Sequence, residues 1–149
     1  MEVKIKRLSP LAKIPAYAKE GDAGLDLTAV SRSFDDDGNV VYGTGLAFEI
    51  PQGYVGLVYP RSSLSRYGLA LSNHVGVIDS GYRGEVTAKF KPSFRFDIED
   101  GVAVDEKLYN KGDRVAQMII MPYPHIDFVE VEELSDTERG DGGYGSSGL

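Results

Sequence analysis

Apolar residues in this chain alternate with polar ones over short stretches and rarely recur at helical spacing. Val86, Ala88 and Phe90 alternate with Thr87, Lys89 and Lys91, the two-residue period of a strand with one buried face. Val129 and Val131 alternate with Glu130 and Glu132 in the same way, so a strand is expected there too. Residues 55–59 and 115–121 are apolar on nearly both faces, which suits strands inside a sandwich. Turn signals separate these stretches: Asp36-Asp37-Gly38-Asn39, Pro51-Gln52-Gly53, Gly81 and Asn110-Lys111-Gly112. The best helical stretch, residues 62–71, is broken by Gly68. Ser135-x-x-Glu138 is spaced as a capping box, but no apolar run follows it. Many short strands with 18 glycines and 7 prolines predict an all-β, jelly-roll-like sandwich.

The length of 149 residues suits one domain. It is expected over residues 1–138, followed by a tail of different character. Residues 139–149 hold five glycines and two serines, with Tyr144 the one bulky aromatic. Such a segment cannot offset its ordering entropy by burial, so alone it is expected to be mobile. It is either a frayed end or, with Arg139, Tyr144, Ser146 and Ser147 spaced by glycines, a flap for a phosphorylated ligand.

Cysteine is absent, which excludes disulfides, thiolate nucleophiles and cysteine-ligated metals. The two histidines, His74 and His125, are far apart in sequence. Sixteen basic against 23 acidic residues give a net charge of −7, without the basic footprint of a nucleic-acid binder. The longest apolar run, Met118-Ile-Ile-Met121, is far too short to span a membrane. With no apparent export signal, the expected location is the cytoplasm, a host's if the source is viral. Five of the eight arginines (Arg61, Arg66, Arg83, Arg114, Arg139) lie in segments rich in Gly, Ser and Asp. That layout fits a small polyanion in a local pocket.

Two glycine patterns mislead. Gly140-x-Gly142-x-x-Gly145 matches a dinucleotide fingerprint but has no strand-to-helix context around it. Residues 38–43 have P-loop glycine spacing without the following lysine. Chemistry concentrates instead in Gly76-Val-Ile-Asp79-Ser-Gly-Tyr82-Arg-Gly84. There Val77 and Ile78 are expected to end a buried strand, and a tight turn projects Asp79 and Tyr82. Upstream stands Pro60-Arg61-Ser62-Ser63, and downstream Gly112-Asp-Arg-Val-Ala-Gln117. Jointly these supply one carboxylate, cationic and hydroxyl anion binders, an amide and aromatics.

In these segments the chain resembles a homotrimeric dUTPase. Five stretches match that family's five motifs in order: Asp22-Ala-Gly-Leu-Asp-Leu27, residues 60–64, 76–84, 112–117 and 139–148. The resemblance implies a jelly-roll-like β subunit and a homotrimer with three sites at subunit junctions, each covered by an exchanged C-terminal tail. It implies hydrolysis of dUTP to dUMP and pyrophosphate, assisted by Mg²⁺. Asp79 is then the general base that activates water; a carboxylate is suited to this at neutral pH. Asn73 and the backbone of Gly76, Val77 and Ile78 read uracil, Tyr82 lies beneath the deoxyribose, and Thr87 stands among the substrate contacts. Arg61, Ser62, Ser63 and Gln117 hold phosphate oxygens. From the tail, Arg139 pairs with the γ-phosphate, Tyr144 stacks on uracil, and Ser146 and Ser147 add hydroxyl contacts.

Asp26 is expected to meet Mg²⁺ through water, with a buried structural carboxylate as the other reading. Arg66, Arg83 and Arg114 can instead be framework arginines. Gly81 stands where the family often has Asp, Ser63 where it often has Gly, and Tyr144 where Phe is common. Residues 91–110 form a long acidic stretch without a functional assignment.

Two other readings remain. A dCTP deaminase, or a bifunctional deaminase–dUTPase, shares the resemblance in Pro-Arg-Ser-Ser and the Asp79 turn. Its deaminating members carry a catalytic Glu at what aligns with Lys89 here, and a lysine is a poor proton shuttle at neutral pH. A non-catalytic trimeric β module is the alternative outside enzymes, since a fold does not determine function.

Overall fold

The computed structural model describes residues 1–92 and 108–143. Ten strands follow one another: β1 (Lys4–Arg7), β2 (Leu25–Thr28), β3 (Ser31–Phe34), β4 (Val40–Gly43), β5 (Leu46–Glu49), β6 (Tyr54–Pro60), β7 (Leu69–Leu71), β8 (Gly76–Ile78), β9 (Thr87–Pro92) and β10 (Arg114–Pro122). Among the described residues a single 3-10 turn, Ser62–Arg66, occupies the start of the stretch that Gly68 breaks, and Gly68 leads out of it into β7. No α-helix occurs among the described residues.

Two four-stranded sheets face each other, in the orders β2-β10-β6-β8 and β3-β4-β9-β7, and β1 pairs with β5 beside them. All the pairings are antiparallel. The jelly-roll-like β sandwich expected from the sequence is therefore present. On β9 the alternation holds: Ala88 and Phe90 are buried while Thr87 and Lys89 face outward. Residues 55–59 and 115–121 fall in β6 and β10, the two central strands of one sheet, as their two-sided apolar pattern required. Leu27, Val58, Val115 and Met118 of this sheet meet Val40, Tyr42, Leu71 and Phe90 of the other in one core.

Two expectations need correction. Residues 129–132 are not a strand; Phe128 is 95% exposed and Val129 81% exposed. The alternation is real, but no described strand of the same chain pairs with it, and a strand exists only by pairing. Val77 lies on a strand that Ile78 ends, as expected, yet it is not buried. It lies on β8, the edge strand of its sheet, and is 60% exposed.

Candidate active site

Three of the motifs meet because β2, β10 and β6 lie side by side. Gln117 on β10 stands opposite Asp26 on β2 and Tyr59 on β6. A side chain at residue 24 would strike the Gln117 amide, so Gly24 leaves that amide room where the first motif lies against the fourth. Gln117 Nε2 donates to the Pro60 carbonyl at 2.9 Å and pins the chain where it leaves β6. Arg61 then turns back across the sheet. Its Nε donates to Asp26 Oδ1 at 2.6 Å, and Arg114 Nη1 donates to Asp26 Oδ2 at 2.9 Å. Both carboxylate oxygens are thus engaged by guanidinium groups, so Asp26 is held between the two arginines. A cleft of about 550 Å³ opens here, lined by Asp22, Gly24, Asp26, Tyr59, Arg61 and Gln117 among others. That size suits a nucleotide-sized ligand.

Ser62 and Ser63 open the 3-10 turn that follows Arg61. Ser62 is exposed, whereas Ser63 is half-buried and accepts from Arg61 Nη1 at 3.4 Å. The sequence left Arg114 open as a framework arginine. Its grip on Asp26 puts it in the same cluster as Arg61.

The third motif builds a different place. Tyr82 N–H donates to the Asp79 carbonyl at 3.1 Å and closes the turn that carries both residues. The Tyr82 ring lies over Gly84, where any side chain would collide with it, and its hydroxyl donates to the Glu85 carbonyl at 3.1 Å. Glu85 is itself anchored, accepting from Gly45 N–H at 2.6 Å. Behind the turn, Arg83 donates to the carbonyls of Ser80 and Tyr82 at 2.6 and 3.0 Å, so it serves the framework. The Asp79 carboxylate is exposed. Asp79 and Tyr82 line a pocket of about 140 Å³ with Val77, Ile78, Glu85 and Thr87. Asn73 is exposed beside Gly76, held by a sharp turn in which His74 adopts φ 59°.

These two places are far apart within one chain. Ile78 pairs with Gly56, so β8 ends five residues of β6 short of Arg61. At about 3.3 Å per residue that is roughly 16 Å along the sheet. Arg61 also reaches toward β2, on the side of β6 away from β8. The Arg61–Arg114 cations and the Asp79 carboxylate of a single copy therefore lie too far apart to meet at one atom of a ligand.

Of the tail, Arg139 is exposed and its Nε donates to the Gly142 carbonyl at 3.0 Å. Tyr144, Ser146 and Ser147 lie outside the described residues. Among the described residues no group of three or more His, Cys, Asp or Glu side chains could hold a metal ion, and no helix is long and apolar enough to cross a membrane. Lys89, where a deaminase would need a proton shuttle, is ion-paired with Asp35 at 2.8 Å, and that hydrogen bond pushes its pKa up.

A family model described as dUTPase matches residues 11–148. The chain belongs to the dUTPase family. It is 43% identical over 148 residues to the deoxyuridine 5'-triphosphate nucleotidohydrolase of Corynebacterium glutamicum, covering 98% of this chain and 94% of that one. The protein of that name from Hydrogenobaculum is 38% identical over 155 residues, covering 100% of this chain and 99% of its relative. Among solved structures, a mutant dUTPase of Staphylococcus bacteriophage 80alpha with dUpNHpp superposes with a TM-score of 0.83 at 31% identity, covering 99% of each chain. A mutant dUTPase from phage phi11, described with a structural Mg(II) ion, superposes at 0.75 with 27% identity, covering 91% of this chain and 100% of that one. The dUTP diphosphatase class expected from the sequence stands with the fold.

Proposed function

We propose that this dUTPase-family chain hydrolyses dUTP to dUMP and pyrophosphate in sites composed at the junctions of a homotrimer. The observation that carries the reading is the separation of the Asp26–Arg61–Arg114 cleft from the Asp79–Tyr82 turn. One copy supplies phosphate-binding cations and another the base-reading turn, so each site becomes whole only on assembly.

In that site Arg61, Ser62, Ser63 and Gln117 hold phosphate oxygens. Asn73 and the backbone of Gly76, Val77 and Ile78 read uracil, with Thr87 lining the same pocket. Tyr82 closes the space a ribose 2′-hydroxyl would need. Asp79 takes a proton from water as the water oxygen bonds to the α-phosphorus. The bond from that phosphorus to the bridging oxygen then breaks, and pyrophosphate leaves. The tail, residues 139–149, folds over the ligand as a segment separate from the 1–138 domain, with Arg139 on the γ-phosphate, Tyr144 on uracil and Ser146 and Ser147 as hydroxyl contacts.

The donor set fits a Mg²⁺ carried by the triphosphate itself, with Asp26 contacting it only through water, because both Asp26 oxygens are already engaged. When bound, the ion offsets phosphate charge and orients the chain of phosphates. Such an enzyme acts in the cytoplasm, without nucleic-acid or membrane partners.

Pyrophosphate release should be measured with dUTP, UTP, dCTP and dTTP. Rapid release from dUTP alone is expected, because an unmet polar group or a steric clash in such a pocket discriminates by roughly 10⁴-fold. Comparable turnover of UTP would overturn the role of Tyr82. Conversion of dCTP to a uracil nucleotide would instead favour the deaminase reading, and no turnover at all the non-catalytic one.

A further inference from the structure

Ser63 Oγ sits between two partners, Arg61 Nη1 at 3.4 Å and the Tyr109 hydroxyl at 3.3 Å. Tyr109 is 2% exposed, and its ring is clamped by aromatic neighbours. The Tyr67 ring, just after the 3-10 turn, lies 4.0 Å from it, and Tyr42 and Phe90 each lie 6.0 Å away, centroid to centroid. Arg32 Nη1 also donates to the Tyr109 carbonyl at 3.3 Å. The phenol therefore reaches Ser63, beside Arg61, from the core with little freedom to move.

We propose that Tyr109 is a positioning residue for phosphate recognition, holding Ser63 so that the serine's own proton points to a phosphate oxygen. The inference rests on the reading of Ser63 as a phosphate contact and deepens it. A serine hydroxyl has one proton and two acceptor lone pairs. Arg61 can only donate, so it occupies one lone pair. When Tyr109 donates into the second, the single Ser63 proton is left for the ligand, and Ser63 becomes a pure donor. The opposite arrangement would spend that proton on Tyr109 and turn lone pairs toward an anion. A bound phosphate favours the first arrangement, because hydrogen bonds in a chain polarise one another in a common direction. Burial pushes the Tyr109 pKa up from its ordinary value, which keeps the phenol protonated as a donor.

The network thus runs from Tyr109 through Ser63 to Arg61, then through Asp26 to Arg114. No sequence motif signals Tyr109. It precedes the fourth motif and acts on the second through the fold.

The test compares Tyr109→Phe, Ser63→Ala and the double variant. Phenylalanine keeps the ring packing and removes only the hydroxyl. Affinity for dUpNHpp and for deoxyuridine, kcat/KM for dUTP and Tm should be measured for each. Tyr109→Phe is expected to weaken dUpNHpp binding about three- to tenfold, the scale of one hydrogen bond, while deoxyuridine binding stays unchanged. In the Ser63→Ala background the same change should have no further effect. A Tyr109→Phe variant that loses Tm but binds dUpNHpp as before would overturn the proposal. So would an equal loss with and without Ser63. If Ser63→Ala alone leaves dUpNHpp affinity unchanged, it is the phosphate role of Ser63 that fails, and the inference falls with it.

Discussion

Replacing Asp26 by asparagine tests whether the carboxylate serves the two arginines. The side chain is 16% exposed, against 22% for Arg61 and 53% for Arg114. Asparagine keeps one carbonyl oxygen for Arg61 Nε, removes the charge and turns an amide donor toward Arg114. A hydrogen bond to a charged group contributes about 1.5–3 kcal/mol when shielded from water. The half-exposed Arg114 pair adds only about 0–1 kcal/mol, because solvent screens it. Because asparagine still accepts from Arg61 Nε, the expected loss of stability is about 1–2 kcal/mol, which moves a urea midpoint down by roughly 0.5–1 M at fixed protein concentration. Arg61 would also lose its fixed direction, and misplacing a binding group by about 1 Å costs up to about 10²-fold in rate. Urea melts and dUTP turnover across a Mg²⁺ titration are the assays. Asp26→Asn should remain tenfold or more impaired at saturating Mg²⁺, within that range for lost positioning. Wild-type turnover, or full rescue by added Mg²⁺, would refute the arginine-holding role.

Two further outcomes follow from the same geometry. Asp35 accepts from Lys89 Nζ and from the backbone of Asn39, and these hydrogen bonds lower its pKa from 3.8 to about 2. A depressed carboxylate contributes stability that is present above the unfolded pKa and lost as pH falls, so its share should disappear between about pH 4 and 2. Asp35→Ala should flatten the fall of Tm in that window, and an unchanged acid limb would contradict the pairing. A chain ending at Glu138 should stay folded, since no core residue lies beyond it among those described, yet hydrolyse dUTP at least about a hundredfold more slowly through lost positioning. Equal single-turnover rates would mean that the glycine-rich end is only a frayed terminus.

Much of this was legible in the sequence because strands announce themselves by burial. Ala88 and Phe90 had to face a core, and residues 55–59 and 115–121 had to lie between two layers. Residues 129–132 misled because alternation records which faces seek burial without saying where a partner strand lies. Val77 misled for the complementary reason, since an apolar residue on an edge strand need not be covered. The site motifs were readable as residue types, but not their grouping. That Asp26 would hold both Arg61 and Arg114 depends on β2, β10 and β6 being neighbours, which no local spacing encodes. Tyr109 was invisible because its role exists only through packing.

The central claim is that each site joins the Arg61 cleft of one copy to the Asp79 turn of another. It is tested by mixing two inactive variants, Arg61→Ala and Asp79→Asn, unfolding them together and reassembling them. Each homogeneous variant should be nearly inactive, since a general base alone supplies roughly 10²–10⁴-fold in rate. In an equal mixture, random assembly gives about a quarter of the junctions an intact Arg61 from one copy and an intact Asp79 from the next. Recovery of about a quarter of wild-type dUTP turnover is the expected result, whereas a mixture no more active than its two components would contradict a shared site.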